Sequence, residues 1–279
     1  MIIDIHTHIF PAEICRNREQ FFPAEPAFKL LYQSSKSKMI GTTGLLRAMD
    51  EFGVDTSVIC GFPWSRPEIY RMHNDYVMDS VQKYPDRLIG LGCFDPADPQ
   101  APAETERCLA GGLSGIGELA FYGSGIDHDA LEQLDPIMNI CHKHGRPVLI
   151  HTNEPVGHYY EGKTPLTLAQ IYHLIERFPD NNLILAHWGG GLFFYNLMKK
   201  QVKERLKNVY FDTAASPFLY DATIYRIASE LIGADKVLLG TDFPLLPPAR
   251  YFSDMDAAGL TQAQIDQICG FNAKRLFAC

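Results

Sequence analysis

The sequence has no hydrophobic run near the roughly 18 apolar residues that a membrane-spanning helix requires. Its first residues, MIIDIHTHIF, contain neither a basic segment nor a cleavage site, so a cleaved export signal is not expected. The 7 cysteines are odd in number and never form a CxxC pair, which is typical of reduced thiols. We therefore expect a cytoplasmic protein without a disulfide framework.

Positive charge is also scarce, with 25 Lys and Arg against 33 Asp and Glu and a formal net charge of −8. This balance argues against a nucleic-acid or anionic-membrane partner and leaves a small-molecule substrate as the expected ligand. The chain has no linker, repeat or low-complexity stretch. Its 279 residues, 46% of them hydrophobic, predict one domain that covers residues 1–279.

Eight short apolar runs alternate with segments of helical periodicity. The runs span residues 2–5, 56–60, 88–94, 115–119, 147–150, 182–186, 208–211 and 236–240. Several of them lack polar alternation, as parallel strands do when helices cover both faces of the sheet. The helical segments span residues 44–52, 67–84, 129–144, 167–178, 192–206 and 221–232. Eight β/α repeats predict a (β/α)8 TIM barrel, with an open doubly wound sheet as the alternative.

Two long stretches read as irregular. Residues 10–43 form an inserted segment after the first strand, and residues 153–165 follow the fifth strand. Both leave the carboxyl end of a strand, which is the face on which barrels build their active sites. We expect the first segment to cover the site and the second to contact the substrate.

Polar residues end several of the predicted strands. His6 and His8 close the first strand, where residues two apart share a face. The residues that end later strands are Glu118, His151, His187 and Asp242. Polar residues commonly occur where strands meet loops, but that tendency does not account for the whole set. Imidazole and carboxylate ligands suit a divalent metal, so we predict one or two ions per chain, with Zn²⁺ favoured and manganese as the alternative.

The run Asp4-Ile5-His6-Thr7-His8 resembles the N-terminal metal motif of the amidohydrolase superfamily, and His151, His187 and Asp242 match that family's fifth, sixth and eighth strands in order. The segment GFNAKRL near the C-terminus resembles the Gly-x-Asn-Ala-x-Arg-Leu ending of the same group. The chain is most similar to the amidohydrolase-related (amidohydrolase 2) branch. That branch includes metal-dependent decarboxylases and lactone hydrolases. Barrels of this branch are often dimers, so the resemblance also implies that this chain can form a homodimer.

Glu118 departs from the pattern of the decarboxylases in this branch, which do not usually present a carboxylate ligand from the fourth strand. Gly117-Glu118-Leu119 resembles the motif of deoxyribonuclease-type barrel hydrolases, in which the glutamate can bridge two metals. We therefore expect a metal-dependent hydrolase that cleaves an amide, lactone or other ester bond of a small organic acid. The alternatives are non-oxidative decarboxylation of an aromatic or unsaturated acid and, third, a non-catalytic metal-binding barrel. Glu118 could also orient a ligand without touching the metal.

The remaining site residues follow from these hypotheses. Asp242 is the expected proton acceptor and donor, and His187 is either a second-metal ligand or a proton donor. Asp212, at the end of the seventh strand, could reach the barrel mouth, but together with Thr213 it is predicted to cap the following helix. The predicted substrate-binding residues are Trp64, Arg66, His158, Lys163 and Arg250.

Overall fold

The computed structural model describes residues 1–198 and 200–278. Its eight strands are β1 (Ile3–His8), β2 (Thr56–Cys60), β3 (Leu88–Gly92), β4 (Gly115–Leu119), β5 (Val148–Ile150), β6 (Leu183–Leu185), β7 (Val209–Asp212) and β8 (Val237–Leu238). Each strand pairs in parallel with the next. The ring closes where the Ile5 N–H donates to the Leu239 carbonyl at 2.8 Å. The predicted (β/α)8 barrel is confirmed, and the open sheet is wrong.

Helices connect the strands and extend beyond β8. They are α1 (Ala12–Asn17), α2 (Pro26–Tyr32), α3 (Thr42–Phe52), α4 (Pro67–Lys83), α5 (Ala101–Ala110), α6 (His128–Lys143), α7 (Leu168–Arg177), α8 (Lys200–Arg205), α9 (Ser216–Leu219), α10 (Thr223–Ile232), α11 (Pro248–Ala257), α12 (Gln262–Asp266) and α13 (Asn272–Phe277). Their ends follow local chemistry. Thr167 and Gln170 form a reciprocal capping box at the start of α7, and Gly53 ends α3 in the left-handed conformation.

The buried apolar residues form two clusters. The larger one joins the strands to the surrounding helices. The smaller one unites residues such as Ile3, Leu91 and Ile184 from strands around the ring with Ala273 and Phe277 of α13. Because its members come from opposite sides of the ring, the smaller cluster fills the barrel interior. The barrel is a packed core, so a functional site must lie at one of its ends.

Two local predictions were wrong. Residues 192–206 do not form one helix, because the 3₁₀ turns of His187–Leu197 end at Met198, whose backbone is extended, before the short α8. At Gly190, a Cβ atom would lie 2.5 Å from the Asn153 carbonyl oxygen, so glycine is required there. Residues 10–43 are not irregular throughout, since they contain α1 and α2.

Within the ranges that the structure describes, the six cysteines are unpaired thiols. No helix in those ranges is both long enough and apolar enough to cross a membrane.

Candidate metal centre

Four of the predicted ligands converge at the carboxyl end of the barrel. His6 Nε2 lies 3.2 Å from His8 Nε2 and 3.4 Å from Glu118 Oε2. Asp242 Oδ1 lies 3.3 Å from His8 Nε2 and 3.9 Å from His6 Nε2. These atoms come from β1, from β4 and from the residues after β8, which are adjacent only because the barrel closes.

The spacing of these donor atoms fits a divalent cation. A tetrahedral site with metal–ligand bonds near 2.1 Å separates its donors by about 3.4 Å. His6 Nε2 and His8 Nε2 lie 3.2 Å apart, and each lies 3.3 to 3.9 Å from an oxygen of Glu118 and of Asp242. Two imidazole nitrogens and two carboxylate oxygens also match the ligand chemistry of zinc and manganese.

A second group of donors lies on the other side of Glu118. Its Oε1 atom is 2.9 Å from His151 Nδ1 and 3.6 Å from His187 Nε2. The three ligand atoms of this group all lie within 4.8 Å of one another. Glu118 thus directs one carboxylate oxygen to each group of histidines, and the structure brings all six predicted ligands together.

Outer partners orient the imidazoles. Asp212 Oδ2 lies 2.8 Å from His6 Nδ1, while Asp212 Oδ1 accepts hydrogen bonds from the backbone N–H groups of His187 and Ala214. Carbonyl oxygens at 3.0 Å face Nδ1 of His8 and Nδ1 of His187. These acceptors hold the Nδ1 protons and leave each Nε2 atom directed at the cluster.

The prediction that Asp212 caps a helix was wrong. The residue before α9 is Ala215, and no side chain caps that helix. Asp212 instead aligns a histidine from the first strand, across 206 positions of sequence. Its place at the end of β7, parallel to the other polar strand ends, was the feature that could have identified it.

The backbone at these strand ends is specialised. Gly117 has φ of 138°, and a Cβ atom there would lie 2.5 Å from the Leu149 carbonyl oxygen, so only glycine lets Glu118 follow in this position. His187 and Asp242 have φ values of 53° and 56°, in the left-handed region that costs non-glycine residues energy. Such strain at two strand ends is typical of functional sites.

The charges in the cluster support one another. Burial by itself raises the pKa of Glu118, but the positive charges of His6 and His151 outweigh it and hold the pKa well below its usual range. The same balance, through His8 and His6, lowers the pKa of Asp242. Burial lowers the pKa of His6, yet Glu118 raises it well above its ordinary value. Both carboxylates are therefore ionised at neutral pH, and a metal ion competes with protons for the imidazole nitrogens.

The five predicted substrate-binding residues are dispersed. Trp64 is fully buried, and its indole N–H donates to His73 Nδ1 at 2.8 Å, so it belongs to the core. The Arg66 guanidinium is exposed and lies 3.3 Å from Glu68.

Of the other three, His158 and Lys163 lie in the loop after β5, and Arg250 lies in the first turn of α11. His158 is exposed. Arg250 is also exposed, with its guanidinium 5.9 Å from the centre of the Phe218 ring. Lys163 is mostly buried and lies 2.8 Å from Glu154.

An aromatic wall, which we define as Tyr32, Phe62 and Tyr122, borders the cluster. The Tyr32 and Phe62 rings are 6.0 Å apart, and Phe62 stacks on Tyr122 at 6.4 Å with an interplanar angle of 18°. Tyr122 lies 6.4 Å from the ring of His151. Burial, with the negative charge of Glu118, raises the pKa of both tyrosines, which keeps their hydroxyls protonated beside the donors. Sequence analysis missed Tyr32 and Tyr122 because neither ends a predicted strand.

The family model described as amidohydrolase (amidohydrolase 2) matches residues 3–278. The chain belongs to this family. It is an enzyme of the amidohydrolase superfamily, as its N-terminal and strand-end motifs predicted.

Among curated proteins, the chain is 25% identical to 2-amino-3-carboxymuconate-6-semialdehyde decarboxylase of Dictyostelium discoideum, over 87% of this chain and 81% of that protein. It is also 25% identical to gamma-resorcylate decarboxylase of Rhizobium sp., over 83% of this chain and 85% of that protein. Two solved structures share the fold. One is 2,6-dihydroxybenzoate decarboxylase complexed with 2,6-dihydroxybenzoate (TM-score 0.75, 21% identity, 100% and 99% of the two chains covered). The other is 5-carboxyvanillate decarboxylase of Novosphingobium aromaticivorans complexed with manganese (TM-score 0.76, 18% identity, 100% and 96% covered).

These relatives overturn the expectation of hydrolysis. Both curated relatives are decarboxylases, so the hydrolase prediction was wrong and the alternative is the better supported. Glu118 does face the cluster, but a carboxylate at that place does not select hydrolysis, because the same donors can serve either chemistry. The predicted divalent metal has support from the donor cluster.

Proposed function

We propose that this protein catalyses the metal-dependent, non-oxidative decarboxylation of a planar aromatic or unsaturated carboxylic acid. The observation that carries the proposal is the similarity to two decarboxylases over 87% and 83% of the chain. The cluster at the barrel mouth supplies the donors that such chemistry needs, and the aromatic wall supplies a surface for a flat substrate.

In this proposal, His6, His8, His151 and Asp242 hold the metal, and Glu118 contributes one or both of its oxygens. When bound, the cation would supply positive charge that attracts an anionic substrate and would stabilise negative charge that develops in the reaction. Zinc and manganese both suit nitrogen and oxygen donors, so we propose either ion, in one or two copies per chain.

The protein's own residues manage the proton. In the reaction, the bond between the carboxylate and its carbon breaks, carbon dioxide leaves, and the carbon takes up a proton in its place. His187 is suited to deliver it, because the Ala214 carbonyl 3.0 Å from Nδ1 directs Nε2 into the cluster. Burial lowers the pKa of His187, but Glu118 and Asp242 raise it above its ordinary value, which keeps the proton available. Asp242 is the second group placed to exchange a proton with the substrate.

The aromatic wall supports a flat substrate. Rings at offset or stacked distances of 4.5–7 Å attract one another by roughly 0.5–1.5 kcal/mol beyond simple burial. The faces of Phe62 and Tyr122 are nearly parallel, and a planar ring beside them would bring its carboxylate toward the donor cluster. The phenol groups of Tyr32 and Tyr122 would donate hydrogen bonds to oxygen substituents on that ring.

The test begins with protein stripped of metal by a chelator and reloaded with Mn²⁺ or Zn²⁺, with the ions per chain counted. Release of carbon dioxide from 2,6-dihydroxybenzoate, 5-carboxyvanillate and 2-amino-3-carboxymuconate semialdehyde is then measured. We expect release that rises with metal occupancy for at least one acid and is absent from stripped protein. Fully loaded, folded protein that releases no carbon dioxide from any of them would contradict the proposal.

A further inference from the structure

The loop after β5, residues 153–164, is closed by its own polar side chains. At its base, Asn153 Oδ1 accepts hydrogen bonds from the backbone N–H and the hydroxyl of Thr164, at 2.8 and 2.7 Å. Within the loop, Glu154 Oε1 pairs with Lys163 Nζ at 2.8 Å, and the Tyr160 hydroxyl donates to Glu154 Oε2 at 3.0 Å. The side chains of Glu154 and Lys163 are only 15% and 13% exposed, so this ion pair is shielded from solvent.

Lys163 uses all of its donors inside the loop. Besides Glu154, its Nζ atom lies 2.6 Å from the Val156 carbonyl and 3.4 Å from the His158 carbonyl. A lysine ammonium has three N–H bonds, and here each has an acceptor. Lys163 therefore has no free donor for a substrate, although the sequence predicted that it binds one.

The neighbouring residue reaches the metal centre. The carbonyl oxygen of Gly162 lies 3.2 Å from His151 Nε2, while His151 Nδ1 faces Glu118 Oε1 at 2.9 Å. A carbonyl can only accept, so His151 donates Nε2–H to the loop and turns Nδ1 toward the donor cluster. This is the arrangement in which an outer acceptor fixes the orientation of a ligand histidine.

We propose that Glu154 and Lys163 are positioning residues for the metal centre. Their ion pair holds the loop closed, the closed loop places the Gly162 carbonyl on His151, and that carbonyl holds the imidazole in its metal-binding orientation. The proposal rests on the metal site of the proposed function, but it concerns the affinity for the metal and does not depend on which acid is decarboxylated.

Lys163→Met tests the proposal, because it keeps an unbranched apolar stem and removes the charge and all three donors. Metal-free protein is titrated with Zn²⁺ or Mn²⁺ in competition with a chromophoric chelator. Loss of an outer partner typically weakens metal binding by 10–100-fold, and we expect a loss of about that size. Lys200→Met is the matched control, since Lys200 pairs with Glu204 at 3.5 Å on the exposed face of α8 and should bind metal like the wild type.

Two measurements separate positioning from general stabilisation. The rise in Tm on adding metal should shrink in Lys163→Met, whereas a merely structural residue would lower the Tm of stripped and loaded protein equally. In ¹⁵N-labelled protein, the imidazole Nε2–H resonance of His151 should lose its protection from exchange with water.

If Lys163→Met does not fold, Glu154→Gln provides the second variant, because it keeps one acceptor oxygen for Lys163 while removing the charge. We expect roughly a 10-fold weaker affinity for it. Wild-type metal affinity in a folded Lys163→Met or Glu154→Gln protein would overturn the proposal. Weakened affinity in a protein that decarboxylates none of the acids would support it and contradict only the proposed function.

Discussion

The two segments that follow β1 and β5, residues 10–43 and 153–164, are held in place by different forces. Residues 10–43 pack through aromatic rings, and Phe28 at their centre is completely buried. Residues 153–164 rely on hydrogen bonds and one ion pair, while Val156 and Tyr159 at their tip are 72% and 70% exposed. The first segment is therefore part of the hydrophobic core, whereas the second depends on a few polar contacts. This difference predicts that mutations in the first change stability and mutations in the second change the metal centre.

We expect the largest effect, on turnover, from a substitution at a strand end and not in either segment. Asp242→Asn keeps the shape of the side chain and one oxygen, but it cannot accept and return a proton. We expect decarboxylation to fall by about 10²–10⁴-fold, with the fold and much of the metal retained. Turnover of wild type and variant should be compared at matched metal occupancy. Near-normal turnover would place the proton transfer elsewhere, and His187 would be the first candidate.

Phe28 tests whether the segment of residues 10–43 stabilises the fold. The centre of its ring lies 4.4 Å from the ring centre of Trp64, 4.8 Å from that of Tyr32 and 5.4 Å from that of Phe62. Phe28→Ala should cost about 3–5 kcal/mol of unfolding free energy, because it leaves a cavity at the centre of these rings. Urea denaturation measures the loss, and Phe194→Ala, at a residue 58% exposed, is the control expected to change stability by about 0.5 kcal/mol or less.

Phe28→Ala also tests whether the two segments differ in their effect on metal affinity. The folded fraction of Phe28→Ala should bind metal with wild-type affinity, whereas Lys163→Met should bind it more weakly. If Phe28→Ala lost metal affinity as strongly as Lys163→Met, the two segments would not have separate roles.

A smaller, pH-dependent effect should come from His73, which anchors the first segment. Its Nδ1 accepts from Trp64 and its Nε2–H donates to the Ile9 carbonyl at 2.6 Å. Burial lowers the pKa of His73 to about 4, while the unfolded chain keeps a value near 6.5. The unfolded chain therefore binds the proton more readily, so this stabilisation is complete above about pH 6.5 and is lost as the pH falls toward 4. The total is on the order of 3 kcal/mol.

The measurement is the unfolding free energy as a function of pH for wild type and His73→Gln. The difference between the two profiles should shrink as the pH falls from 6.5 to 4. Parallel profiles across that range would mean that His73 does not carry this dependence.

The strand ends were predictable because their pattern is local. A buried parallel strand appears as a short apolar run, and the polar residue that ends it must lie on the rim that all strands share. Glu118 and His151 could therefore be placed together from sequence although they are far from each other along the chain. Even β8, which is only Val237–Leu238, leads to Asp242 at the expected place.

The features that sequence analysis missed depend on the packing of distant residues. The sequence places Asp212 at a strand end, but its contact with His6 joins two strands across most of the chain and cannot be read from either segment alone. The rings of the aromatic wall meet only after α2 packs on the barrel. Residues 192–206 were predicted as one helix because their apolar residues have helical spacing, whereas the chain forms 3₁₀ turns up to Leu197 and is extended at Met198. The type of reaction could not be predicted from the strand-end residues either, since these donors suit both hydrolysis and decarboxylation.

The closure of β8 onto β1 also determines when the metal can be loaded during synthesis. His6 and His8 are made well before Asp242, which joins them only after the eighth strand pairs with the first, through Asp242 N–H to the His6 carbonyl at 2.9 Å. A growing chain that has not reached the eighth strand presents two histidines without their carboxylate partner from that strand. Tight metal binding is therefore a late event that marks a finished barrel, and incomplete chains should not retain the ion.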